Sequence, residues 1–134
     1  MNVFKTIAAI LIAVVLQANA TAQNTHPLIG KWSAKYEENG EKMYMTQEFR
    51  EENGKIICYT TYIKDSEDVG EAYESVVLQN IEFKKNRGKG DYKYTYEGEN
   101  YEVRAKLELE GNDTLKISYS AWGYSDTETW KRQK

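Results

Sequence analysis

The stretch Tyr101 to Glu110, Y-E-V-R-A-K-L-E-L-E, alternates without a break. Tyr101, Val103, Ala105, Leu107 and Leu109 share one parity, while Glu102, Arg104, Lys106, Glu108 and Glu110 share the other. Successive strand side chains point to opposite faces, so this is a strand with one dry and one wet face. The same spacing on a helix would scatter the apolar residues around the whole circumference. Turn signals flank it, Glu97-Gly98-Glu99-Asn100 before and Gly111-Asn112-Asp113 after. It therefore reads as the middle strand of a meander. On this register Leu107→Asp should unfold the domain and Glu108→Lys should be nearly silent.

Working outward, the same grammar repeats. Gly30 opens a strand with Trp32, Ala34 and Tyr36 on one face, and Glu38-Asn39-Gly40-Glu41 turns it back. Lys42 to Arg50 alternates Met43, Met45, Gln47 and Phe49 against polar partners, and ends at a second Asn-Gly turn, Asn53-Gly54. Asn-Gly between alternating runs is a strong hairpin signal. Ile56 to Lys64 is apolar or aromatic on both parities, which leaves its inward face open. Asp65 to Glu71 reads as an acidic loop. Val76, Val77 and Leu78 fit either a strand or a short helical turn, and Ile81 and Phe83 fit a strand. Asn86-Arg87-Gly88-Lys89-Gly90 reads as a basic turn. Asp91 to Glu97 carries Tyr92, Tyr94 and Tyr96, and Thr114 to Ala121 puts Leu115, Ile117 and Tyr119 inside. Thr127 to Arg132 ends the fold. About eight strands joined by tight turns, with no helical crossover, predict an all-β, antiparallel up-and-down barrel, with a small β-sandwich as the alternative. An interior of that size is filled by side chains or just holds one small ligand.

The first 22 residues form a separate unit. Lys5 precedes an apolar run, Ile7 to Leu16, that is too short for a stop-transfer helix, and small residues at Ala18, Ala20 and Ala22 follow. That is the pattern of a secretory signal peptide cleaved after Ala20 or Ala22, leaving 23–134 as one exported domain with no membrane span. The whole chain carries 18 basic and 21 acidic residues, and losing Lys5 takes the net charge from −3 to −4. A general nucleic-acid binder would need a basic face instead. The single cysteine, Cys58, rules out an internal disulfide and reads as a small buried hydrophobe with a slowly reacting thiol.

Gly30-Lys31-Trp32 near the start and Trp130-Lys131-Arg132 at the end resemble the calycin signature of lipocalin-like barrels. The resemblance implies that Trp32 plugs one barrel end and Arg132 packs across it. The chain is also similar to an uncharacterised family of small secreted bacterial proteins with an N-terminal I-G-x-W, a central N-G-K and a C-terminal T-W-x-R. Here these are Ile29-Gly30-Lys31-Trp32, Asn53-Gly54-Lys55 and Thr129-Trp130-Lys131-Arg132, together with the run from Gly98 to Leu109 and Leu115 to Ile117. Such proteins carry a Pro/Asn-containing loop where this chain has Asp65 to Glu71. That family implies size and compartment rather than chemistry.

Enzyme signatures are scarce. The one histidine, His26, stands in the lead-in beside Pro27, so no His-Cys or Ser-His-Asp set can assemble and no structural zinc site is expected. No cofactor motif is present. Asp65, Glu67, Asp68 and Glu71 are acidic enough to suggest calcium but do not follow the EF-hand pattern. Lys84, Lys85, Arg87, Lys89 and Lys93 could contact an anionic envelope surface, or simply solubilise a hairpin. The strongest hint of a ligand site is tyrosine: 11 in the chain, with Tyr36, Tyr59, Tyr92, Tyr94, Tyr96 and Tyr119 as candidate lining. The expectation is a non-enzymatic binder of a small apolar or amphipathic molecule. A filled barrel acting as an envelope interaction module is the alternative.

Overall fold

Alternation becomes a closed ladder. The computed structural model describes residues 26–38 and 40–134, the side chains of Glu38 and Tyr96 excepted. The signal peptide assigned to residues 1–22, its cleavage points and Asn39 of the first turn lie outside the described residues. Among the described residues there are eight strands and no helix: β1 Gly30–Glu38, β2 Glu41–Glu52, β3 Lys55–Lys64, β4 Gly70–Lys84, β5 Arg87–Tyr96, β6 Glu99–Glu110, β7 Thr114–Ala121 and β8 Tyr124–Arg132. Each pairs antiparallel with the next, and β8 returns to β1, giving an up-and-down barrel rather than a sandwich.

The turns explain why the strands meander. Asn53-Gly54, Lys85-Asn86, Glu97-Gly98 and Trp122-Gly123 all have both central residues at positive φ. This is the type I′ geometry, whose twist matches that of the flanking strands. The basic turn expected at residues 86–90 is therefore shorter and earlier than the sequence suggests. Lys85-Asn86 makes the reversal, and Arg87 to Gly90 already belong to β5. Gly88 could not be another residue, since a Cβ there would lie 2.1 Å from the Glu82 carbonyl oxygen.

The ambiguous segment 72–85 is one long strand up to Lys84, with Lys85 starting the turn. Register shifts between Cys58 and Tyr59 on the β3 side, and between Gln79 and Glu82 on the β5 side, absorb its surplus residues. The first leaves Val77 as the extra residue, so both Val77 and Leu78 are buried, and that is why neither period was readable. The acidic loop is trimmed to 65–69, where Asp65 Oδ1 accepts from the Glu67 and Val69 amides at 2.9 and 3.0 Å. Asp65 thus caps the turn and Asp68 pairs with Lys64 at 3.0 Å, and among the described residues no group of three or more acids, His and Cys is placed to hold a metal.

One half of the barrel is solid. Residues 26–29 fold beneath it, so Leu28 is fully buried and its carbonyl accepts from Trp32 Nε1 at 3.0 Å. Above lie Trp32, Phe49 and Trp130, with ring centroids 6.4 and 6.1 Å apart. Cys58, Leu78, Leu107, Leu115 and Ile117 complete this layer. Burial also pushes the Cys58 thiol well above its usual pKa, which disfavours the reactive thiolate.

Closure depends on very few residues. The β1–β8 ladder runs through Trp32↔Arg132 and Ser33↔Lys131 alone. The Arg132 guanidinium lies 4.3 Å from the Trp32 ring centroid and donates to the carbonyls of Ile29 (2.9 Å), Pro27 (2.6 Å) and Asn112 (2.8 Å). A cation over an indole contributes about 0.5–2 kcal/mol, and each hydrogen bond of this partly exposed guanidinium about 0.5–1.5 kcal/mol net. Arg132→Ala should therefore cost on the order of 3 kcal/mol in urea unfolding, with Arg132→Lys losing about half as much because the planar fork is gone. Additive losses when either change is combined with Trp32→Phe would show that the two residues are not coupled.

The ladder also revises one expectation. Leu107 is inward and buried, so Leu107→Asp should still unfold the domain. Glu108, however, sits between Arg87 on β5 and Lys116 on β7. Glu108→Lys would line up three cations across the outer wall, and like charges directly opposite are destabilising. The expected loss is about 0.5–1 kcal/mol, reduced by adding Arg87→Glu; an unchanged urea midpoint for Glu108→Lys would contradict this register.

Candidate functional site

The other half of the barrel is hollow. A cavity of about 1870 Å3 opens between the β1–β2, β3–β4, β5–β6 and β7–β8 connections and ends on the solid layer. Inward parity decides its lining. On β8 the buried Trp130 belongs to the solid half, so Glu128, Asp126 and Tyr124 follow it up the inner wall at alternate positions. On β1, Trp32 is followed by Ala34 and Tyr36 in the same way. On β3, whose inward face the sequence leaves open, Cys58 and Thr60 point in.

The floor is a polar network. Tyr92 donates to Glu128 Oε2 at 2.5 Å, and Tyr119 reaches the same oxygen at 3.2 Å. Trp130 Nε1 donates to Glu128 Oε1 at 3.2 Å. The Tyr36 hydroxyl lies 3.5 Å from that of Tyr92. Beside it, the buried Gln47 accepts from Thr60 Oγ1 at 2.6 Å. No buried side-chain polar atom among the described residues lacks a partner, which is what lets this polar layer sit on an apolar core.

One wall is an aromatic strip running from floor to rim. Tyr92 and Tyr119 stack at 5.2 Å, Tyr119 and Tyr94 at 5.9 Å, and Tyr94 and Tyr101 at 5.4 Å. Trp122 then stands edge-on to Tyr101 at 5.1 Å. Trp122 is 81% exposed and holds φ at 52°, an unusual backbone for a bulky residue, at the tip of its turn. The opposite wall is softer, with Met43, Met45, Ile63 and Val77.

Of the six tyrosines expected to form a site, the cavity brings together Tyr36, Tyr92, Tyr94 and Tyr119. Tyr59 is not among them. It points outward, where its hydroxyl donates to Glu52 at 2.9 Å and the Arg50 guanidinium lies 4.6 Å from its ring. The side chain of Tyr96 lies outside the described residues. Sequence reasoning missed Glu128, Asp126, Gln47 and Trp122. The signal for the two acids was present, because an inward Trp130 fixes the parity of Glu128 and Asp126. The basic residues Lys84, Lys85, Arg87 and Lys89 lie on the outside; Glu82 stands opposite Lys89 and Glu108 opposite Arg87, while Lys84 also faces Arg87 and Lys89 also faces Lys106, so the patch stays basic with acids at two of its positions. Compared with known proteins, the chain matches no family model and no characterised protein.

Burial pushes the hydroxyls of Tyr36, Tyr92 and Tyr119 above the usual tyrosine range, and the adjacent Glu128 carboxylate adds to the shift in each. A folded pKa above the unfolded value of about 10 contributes stability that is complete below that pH and is lost as pH rises through the folded value. In an alkaline titration the exposed tyrosines should ionise first. The floor tyrosines should ionise only as the β-sheet circular dichroism collapses, and Glu128→Gln should move that step to lower pH. Smooth ionisation of every tyrosine near pH 10 with the sheet intact would contradict the buried network.

Proposed function

We propose that the protein is an exported, non-enzymatic carrier of a small apolar or amphipathic molecule, of lipocalin-like type. The observation that carries this reading is the cavity. Its volume, about 1870 Å3 with its wide mouth included, lies above the roughly 300–1,000 Å3 of ordinary small-molecule pockets, and its walls combine tyrosine rings and aliphatic side chains with polar groups. Such a lining loses its contact with water when a ligand enters, and the polar floor gives orientation. A barrel designed only to be stable would fill this space, because empty apolar volume forfeits dispersion contacts.

The filled-barrel alternative, acting on an envelope surface through Lys84, Lys85, Arg87 and Lys89, has less support. The interior is half empty, and acids stand among the outer cations, Glu82 opposite Lys89 and Glu108 opposite Arg87, although Lys84 also faces Arg87 and Lys89 also faces Lys106. The scarcity of catalytic groups in the sequence supports a carrier over an enzyme, and the signal-peptide pattern supports export.

Native mass spectrometry of the protein purified from its own host should find a co-purifying small molecule. Ser75, a small residue on the cavity wall, offers the control. Ser75→Trp, which sets an indole into the cavity from that wall, should lower the occupancy of that molecule and weaken binding of the neutral dye Nile red, with little change in thermal stability. A wild-type protein that carries nothing and leaves Nile red dark would overturn the reading.

A further inference from the structure

The deep end of the cavity is negative and carries no cation. Seven ionisable acids and bases line the space: Glu41, Asp65, Glu102, Asp126 and Glu128 against Lys42 and Lys93. Lys93, between the inward Tyr92 and Tyr94, has the outward parity and pairs with Glu102, and Lys42 stands next to the β1–β2 turn at the mouth, whereas Glu128 and Asp126 share the inward parity of Trp130. Among the described residues, no lysine or arginine forms an ion pair with either of them. Every contact that holds Glu128 comes from a neutral donor: Tyr92, Tyr119 and Trp130. These donors orient the carboxylate without neutralising it.

The surroundings magnify that charge. Low-dielectric walls lined by one sign of charge focus the field into a cleft. The rings of Tyr92, Tyr119, Tyr94 and Tyr101 add the negative faces of their π systems along the path from rim to floor. Carboxylate, tyrosine hydroxyls and ring faces all favour the same sign of guest. An anion would meet the opposite of what it needs at every depth, and a neutral guest would leave Glu128 without a counter-charge.

We propose that the cavity selects an organic ammonium: a protonated amine seated against Glu128, flanked by Asp126, with an apolar or aromatic body lying along the tyrosine strip. This rests on the carrier reading and specifies its ligand class. The amine supplies the cation that the fold withholds. Its N–H groups have acceptors in the second carboxylate and in the lone pairs that Tyr92, Tyr119 and Trp130 leave free on Glu128. The body then covers the ladder of rings up to Trp122.

Isothermal titration of the wild-type protein with three guests of equal chain length separates charge from greasiness: decylammonium, decanol and decanoate at neutral pH. Decylammonium should bind about tenfold or more tightly than decanol, the increment of one charged hydrogen bond, with decanoate weakest. In Glu128→Gln, which keeps an acceptor for its neighbours, the ratio of ammonium to alcohol affinity should fall about tenfold. Asp126→Asn, at an exposed position, should lower the same ratio by a smaller factor and serves if the first variant does not fold. Equal affinities for ammonium and alcohol in the wild-type protein, or a ratio unchanged in the variants that fold, would overturn the ammonium assignment and leave the carrier reading standing. Failure of all three guests to bind would overturn both.

Discussion

The barrel is closed by one arginine. Seven of its eight junctions are hairpins, where the turn itself holds the strands in register and the ladders are long. The eighth joins the two ends of the sheet, and there only two residue pairs meet. No turn enforces that junction, so side chains must. Arg132 covers Trp32 and ties the lead-in carbonyls of Pro27 and Ile29 to the β6–β7 turn at Asn112. Gln133 extends the tie, its amide donating to the Lys31 carbonyl at 2.9 Å and its side chain to Ser33 and Thr46, each at 3.0 Å. Lysine could supply the charge, but not a planar face for the indole together with three directed donors.

Because closure is concentrated at the solid end, the open end is free to be hollow. Small residues are placed where strands must approach closely. Gly90 on β5 leaves room for Leu78 and Ile81, whose atoms would lie 3.1 and 3.2 Å from a Cβ there. Toward the mouth the inward positions change from Leu, Ile and Trp to Tyr, Met, Ser and acid. Tyrosine suits the boundary between these regimes, since its ring packs on apolar neighbours while its hydroxyl answers a polar group. Tyr92 does both: it is buried, stacked on Tyr119 and bonded to Glu128.

The sequence was legible wherever one face is wet and the other dry. Residues 101–110 gave their inward set directly, and the Asn53-Gly54 turn announced its hairpin. Legibility failed where two registers compete. On β3 both parities are apolar because Tyr59 packs outside against Arg50 while Cys58 packs inside, so a tyrosine count could not separate Tyr59 from Tyr36. On β4 the extra residue at Val77 puts consecutive side chains into the core and erases the period. The site was hidden for a related reason. An acid on a strand is ordinarily read as wet, so Glu128 looked like surface. Only its distance of two residues from a buried tryptophan marks it as inward.

That misreading locates the physical oddity of the molecule. An inward carboxylate is tolerated in a small barrel only if donors surround it or water reaches it, and here both hold. Tyr92, Tyr119 and Trp130 bind its oxygens, while the open cup keeps it half-buried rather than sealed. Two of these three donors, Trp130 and Tyr92, are at the same time buried members of the core, so the acid is held by rings that also fill the interior. A hydrophobic residue at 128 would pack on Trp130 and let the barrel collapse above it. The acid prevents this, because it must keep its donors below and an open side above. Glu128 thereby marks the height at which the core stops and the cavity begins.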